Sequence, residues 1–276
     1  MKPVGSEAFE VMRQFFNYDK TIPLNVRIVE KLDYSDFVRE KIVFSGTRNN
    51  RVPGYLAIPV NGRAPYPCVL QLHGIGSSKE RWWKEGTTSE KLTMQLITQG
   101  FAVLSLDAEY HGERLTNNDF ESPEVFIFEK DWLMCARDMI VQSAAEYRRA
   151  IDYLEIREDI DNSRLGMIGF SMGGLMTFSI SAVEPRIKAS VACVTPIIKD
   201  QYSAINVYNF APHIKNRPFL MQVGKTDEFN YTTEEARQLF DLISSQTKEI
   251  IIYESGHILP DEWTFKTTEW MEKYLK

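Results

Sequence analysis

From about residue 67 onward the chain alternates short apolar runs with longer stretches of helical periodicity. The runs at 68–73, 102–107, 164–170, 189–194, 219–223 and 249–253 have near-continuous apolar centres, as strands covered on both faces require. Between them, residues 89–98, 134–154, 172–181, 233–244 and 263–274 repeat with helical spacing; Ser89 is suited to an N-cap and Gly100 lies just past a C-terminus. Strand and helix in strict turn predict βαβ units and a mostly parallel sheet. Upstream, strand-like runs at 26–29, 40–44 and 54–58, parted by turn formers such as those at 46–50, predict an antiparallel start. The expected fold is α/β, with a mostly parallel central sheet, antiparallel N-terminal strands and helices on both faces.

Two stretches break the rhythm. Residues 115–131 are rich in aromatic and acidic side chains, and residues 197–215 contain Tyr202, Tyr208 and Phe210. Each follows a strand, and loops at the carboxyl ends of strands surround the ligand crevice of an open α/β sheet, so both are candidate pocket walls. Surface loops with a small cluster of their own are the alternative, and whether either stretch forms a lid stays open. No Pro/Gly/Ser-rich linker divides the chain, and residues 1–276 are expected to form one domain.

The 276 residues are 43% hydrophobic and 25% charged, within the range of globular proteins. A formal charge of −6 disfavours a nucleic-acid backbone or an anionic membrane as partner. The longest uncharged run, residues 165–183, is diluted by glycine, serine and threonine, so no membrane helix is expected. Residues 1–20 carry Glu7, Glu10 and Asp19 and lack the apolar core of a signal peptide, which points to the cytoplasm. Cys68, Cys135 and Cys193 are odd in number, lie on apolar segments and share no metal-ligand spacing, so buried free thiols are expected and no metal.

The chemistry centres on Ser171. Gly169-Phe-Ser-Met-Gly173 falls between an apolar strand and a helical run, the context of a nucleophile elbow. The three positions alone would match by chance in about one chain in ten of this length, so the strand-to-helix setting carries the assignment. A serine hydroxyl needs a base, and the base needs an acid to hold its tautomer; on this scaffold they follow in the order Ser, acid, His.

Only His213 and His257 follow Ser171. His257, in Glu254-Ser-Gly-His257 beyond the last strand, can reach over the elbow and is the expected base; His213 precedes a strand and reads as a surface or core side chain. Asp227, on the turn after the run 219–223, is the expected acid, with Glu228 its immediate competitor.

The tetrahedral oxyanion needs two backbone donors. Met172, after the nucleophile, supplies one; the other comes from His73-Gly-Ile-Gly76, with Ile75 the expected donor and Gly76 the alternative. His73 lies inside that segment and reads as a structural hydrogen-bonding group. In Asp107-Ala-Glu-Tyr-His-Gly-Glu-Arg114 the polar residues at a strand end read as a fastened turn, with Glu109, Tyr110 and His111 able to border the pocket. Glu109, Tyr110, Tyr202 and Tyr208 are the candidate pocket residues.

Leu72-His-Gly-Ile-Gly76, Asp107-Ala-Glu-Tyr-His-Gly112, Gly169-Phe-Ser-Met-Gly-Gly174, Gly224-Lys-Thr-Asp227 and Gly256-His257 together resemble the α/β-hydrolase superfamily from about residue 67 to the C-terminus. Within it the chain is most similar to dienelactone-hydrolase-like and acetyl-xylan-esterase-like esterases, with features shared by prolyl-oligopeptidase catalytic domains. Dienelactone hydrolases proper use a cysteine nucleophile where this elbow has Ser171, and no stretch here would form an oligopeptidase propeller. The resemblance therefore implies a serine carboxylesterase acting on a small to medium ester through an acyl-enzyme. It needs no cofactor, its partner is the small-molecule substrate, and homo-oligomerisation is open. A small-peptide hydrolase or acyltransferase with the same triad is the alternative, and an inactive ligand-binding module a further one.

Overall fold

The computed structural model describes residues 1–48, 50–198, 200–227 and 232–276, with the side chains of residues 200–202 outside that description. Nine strands form one sheet in the order β1-β2-β3-β5-β4-β6-β7-β8-β9. They are β1 (Arg27–Asp33), β2 (Phe37–Ser45), β3 (Arg51–Pro59), β4 (Tyr66–Leu72), β5 (Ala102–Leu106), β6 (Ile160–Phe170), β7 (Ile187–Cys193), β8 (Phe219–Gly224) and β9 (Lys248–Tyr253). The first three run antiparallel to their neighbours, and β3 pairs antiparallel with β5; from β5 through β4 and β6 to β9 every pairing is parallel. This is the expected α/β-hydrolase sheet.

The helices are α1 (Ser6–Met12), α2 (Thr88–Thr98), α3 (Glu124–Phe128), α4 (Leu133–Glu155), α5 (Met172–Val183), α6 (Val207–Phe210), α7 (Thr233–Leu242) and α8 (Glu262–Leu275). Alternate side chains of the parallel strands feed two cores. Cys68, Leu70 and Leu72 of β4, with Leu165 and Met167 of β6, pack with α4 and α5. Val69, Ile168 and Phe170 point the other way and pack with Leu92 and Leu96 of α2 and Trp263, Trp270 and Met271 of α8. A strand buried on both faces has no polar face to show, which is why these runs read as continuous in sequence. Among the described residues no helix is long and apolar enough to cross a membrane.

The irregular stretches contain structure too short for periodicity to reveal. Residues 115–131 include α3 and part of a 3-10 turn over Gly112–Asn118; residues 197–215 include α6 and a turn over Ala211–His213. Helix α1 was likewise unforeseen. The N-terminal segment is fastened by Arg149, a buried arginine of α4 whose guanidinium donates to the carbonyls of Ser45, Asp19 and Ile22. Cys68 and Cys193 are buried free thiols, but Cys135 is only partly buried, because it sits in the first turn of α4 where the helix emerges from the core.

Candidate active site

Ser171 stands between the last residue of β6 and the first of α5, with φ 56° and ψ −116°. A side chain rarely tolerates this backbone, and it holds because the surroundings fix both sides. The Ser171 amide donates to the Cys193 carbonyl at 2.9 Å, and its carbonyl accepts from Leu175 at 3.1 Å. The flanking glycines are forced by close backbone approach: a Cβ on Gly169 would strike the Gly173 carbonyl, and one on Gly173 would strike the carbonyl of Leu72. The elbow therefore packs α5 directly on β4 and β6.

Asp227 and His257 meet across the neighbouring strand ends. His257 Nδ1 lies 2.8 Å from Asp227 Oδ2, and the carboxylate side chain is wholly buried whereas the imidazole keeps 22% exposure. A carboxylate only accepts, so Nδ1 carries the proton and Nε2 keeps its lone pair, the tautomer a general base requires. Two backbone bonds fix this pairing: Lys225 N–H to Tyr253 O and Thr226 N–H to Ser255 O, both 2.9 Å. Gly224 permits that approach, since a Cβ there would collide with the Gly256 carbonyl. The His257 ring sits edge to face on Phe170, centroids 5.6 Å apart, which brings it beside the residue preceding Ser171. Glu228 lies outside the described residues. His213 stacks on Phe9 of α1 at 3.4 Å, as a packing residue.

Opposite the elbow, a Cβ built on Gly74 would lie 3.4 Å from Ser171 Cβ and 3.9 Å from its Oγ. Residues 74–77 form a turn closed by Ser77 N–H to Gly74 O at 3.3 Å. His73 donates from Nδ1 to that same carbonyl at 2.8 Å, and its Nε2 accepts the Ala108 N–H at 3.1 Å. Burial pushes the His73 pKa down to about 4, so the ring is neutral and ties the segment after β4 to the one after β5. With Gly74 O engaged, no acceptor is found among the described residues for the Ile75 or Gly76 N–H. The Met172 N–H opens α5, where the first amides have no partner within the helix. Gly76 has φ +68° and faces the Glu124 carboxylate, which would meet a Cβ there at 2.7 Å.

The candidate pocket residues whose side chains are described, Glu109, Tyr110 and Tyr208, are scattered. Glu109 is buried; its carboxylate pairs with Arg114 and accepts from Asn50 and Asn117, each 3.2 Å away. Tyr110 packs edge to face on Phe126 at 5.4 Å. Tyr208 is buried in α6, where its hydroxyl accepts from Asn206 at 3.3 Å, beside a cavity of about 710 Å³ lined also by Val4 and Ile198. The Tyr202 side chain lies outside the described residues. His111, stacked obliquely on His73 at 4.9 Å, donates from Nδ1 to Glu109 O, and burial pushes its pKa well down.

Sequence reading missed the charged framework beneath the site. Lys79 is buried with Nζ 2.9 Å from Asp107 and 2.6 Å from Glu113, and Arg114 is buried against Glu146 at 2.6 Å. The three pairs are separated by 28, 34 and 32 residues, and no spacing rule joins them. Arg81 was also missed; its guanidinium lies over the Phe170 ring, 4.2 Å from the centroid.

A model of the acetyl xylan esterase family, AXE1, matches residues 20–213. YtaP of Bacillus subtilis (strain 168) is 26% identical over 197 residues, covering 69% of this chain and 63% of that protein. The 20-hydroxy-prefusarin hydrolase FUS2 of Gibberella moniliformis is 28% identical over 150 residues, covering 53% of this chain and 31% of FUS2. The chain thus spans less than two thirds of the length of either relative. Acetyl xylan esterase 1 from Thermoanaerobacterium sp. JW/SL YS485 superposes with a TM-score of 0.77 at 18% identity, over 99% of this chain and 95% of that one, a likeness of fold.

Proposed function

The chain belongs to the acetyl xylan esterase (AXE1) family, and on that footing we propose that it is a serine carboxylesterase using Ser171, His257 and Asp227 on a small to medium ester. The observation that carries this reading is the 2.8 Å bond between His257 Nδ1 and the buried Asp227 carboxylate, beside a strained serine elbow. His257 Nε2 takes the Ser171 proton as Oγ attacks the ester carbonyl. The oxyanion accepts from Met172 N–H and from Ile75 or Gly76 N–H. Collapse of the tetrahedral adduct expels the alcohol, which takes the proton from His257; water then repeats the cycle and frees the acid. The Asp227 carboxylate orients the ring and stabilises its transient positive charge.

We assign this chemistry to one catalytic unit spanning residues 1–276 and place it in the cytoplasm, a reducing setting that suits three unpaired cysteines. Hydrolysis of 4-nitrophenyl acetate and covalent labelling by a fluorophosphonate test the proposal. Both are expected of the native chain and lost in Ser171→Ala with an unchanged circular-dichroism spectrum; undiminished hydrolysis in that variant overturns it.

A further inference from the structure

We propose that Arg81 is a specificity-determining residue that binds a carboxylate group carried by the ester substrate. This rests on the ester-hydrolase reading above and adds the substrate class.

Arg81 lies in the 3-10 turn Lys79–Trp83 that follows the oxyanion segment, and lines a groove of about 540 Å³ with Gly76, Ser77, Glu80, Trp83 and Lys84. Its guanidinium is laid over Phe170, the residue before Ser171, whose ring touches His257. The cation is thus one side chain removed from both the nucleophile and the base.

Arg81, next to the elbow, has neither an anion nor a hydrogen-bond acceptor among the described residues. Other deeply placed cations have their acceptors: Lys79 has Asp107 and Glu113, Arg114 has Glu109 and Glu146, Arg157 has Glu40 and Asp159, Arg186 has Asp152 and Glu184, and Arg149 has three backbone carbonyls. For Arg81 no carboxylate lies within ion-pair distance among the described residues, and its Nε is shut off from solvent without a hydrogen-bond partner. Burial accordingly pushes its pKa down from the ordinary arginine value. A half-buried guanidinium with no acceptor for its shielded Nε is costly to fold and gains from an arriving anion.

The geometry suits a carboxylate. The guanidinium lies against the Phe170 ring, and its two terminal nitrogens, which make no hydrogen bond among the described residues, present the fork that matches two carboxylate oxygens. The acidic groups nearby do not fill the role. Glu80 accepts the Tyr55 hydroxyl at 2.7 Å and pairs with Lys79 at 3.4 Å, while Glu124 sits against Gly76 and accepts from Ser122. Lys84, exposed at the rim, adds a second positive charge to the groove.

The experiment compares kcat/KM for 4-nitrophenyl acetate, 4-nitrophenyl hydrogen succinate and 4-acetoxybenzoate in the native chain, Arg81→Lys and Arg81→Met. The methionine keeps an apolar contact with Phe170, and melting temperatures check folding. The ratio of kcat/KM for at least one carboxylate ester to that for the neutral acetate is expected to fall about tenfold or more in Arg81→Met, chiefly through KM, and less in Arg81→Lys. Ratios that stay within about twofold for both carboxylate esters overturn the proposal. Calorimetric titration of succinate into Ser171→Ala, with and without Arg81→Met, separates the two readings. Arg81-dependent binding with no hydrolysis by the native chain would remove the esterase and keep the anion site; hydrolysis with no Arg81-dependent binding or preference would do the reverse.

Discussion

Gly74 and Ser171 face each other across the mouth of the site, with only 3.4 Å between a Cβ placed on the glycine and the serine Cβ. A methyl group fits there at ordinary contact distance but occupies space that a tetrahedral adduct on Oγ would need. Gly74→Ala is therefore expected to lower kcat/KM for 4-nitrophenyl acetate about tenfold or more while changing unfolding free energy by about 0.5 kcal/mol or less. Urea unfolding beside steady-state kinetics checks it; a large stability loss would show that the glycine serves packing.

Asp227 accepts the His257 Nδ1 proton from a fully buried position. In Asp227→Asn the ring is freed to adopt the other tautomer and its positive charge loses its partner. A loss in kcat of about 10³–10⁴ is expected, with KM little changed. Activity within a few fold of native would move the acid role elsewhere.

Ser171 holds φ 56°, ψ −116°, so alanine and glycine should differ there in an unusual sense. Glycine normally costs about 0.5–1 kcal/mol relative to alanine through chain entropy. Relief of about 1–3 kcal/mol of backbone strain should reverse that order and make Ser171→Gly the more stable of two inactive variants by about 1 kcal/mol. Equal or lower stability for glycine would show that the elbow stores no strain.

Lys79 and Asp107 are 1% and 0% exposed. Lys79→Met leaves the buried Asp107 carboxyl group without its cation, its remaining donors being the amides of Lys79 and Glu113. A destabilisation of about 3–5 kcal/mol is expected, with part regained in Lys79→Met combined with Asp107→Asn. Chemical denaturation of the single and the double variant beside the native chain measures it.

Acid should weaken the fold through His73. Its pKa is lowered to about 4 when folded against an ordinary 6.5, so below 6.5 the unfolded chain binds the proton more readily. The stabilising contribution is complete above about pH 6.5 and is lost as pH falls toward 4, roughly 2 kcal/mol of it by pH 5. His111, lowered in the same direction, adds to the slope. Unfolding free energies at pH 7 and pH 5 test this, and His73→Gln should flatten the difference; an unaltered slope in that variant would place the acid sensitivity elsewhere.

The parallel half of the sheet was legible because its strands are buried on both faces and its helices are long enough to show a period. Helices α3 and α6, of five and four residues, were not, since so few positions define no face. Glu109, read as a pocket residue from its place after β5, turns inward to Arg114, because a cation 32 residues from its other partner, Glu146, is drawn into the same interior.

The sequence by itself determined the order of elements, the Gly169-x-Ser171-x-Gly173 elbow and the identity of the histidine and acid expected to serve it, because periodicity and local turn chemistry are written in neighbouring residues. Tertiary structure alone decided that Asp227 meets His257 at 2.8 Å, that Gly74 faces Ser171, and that Arg81 lies unpaired on Phe170. Each of these is a contact between strand ends or loops far apart in the chain. Its distance and burial follow from how the whole sheet and its covering helices pack, which no local pattern encodes.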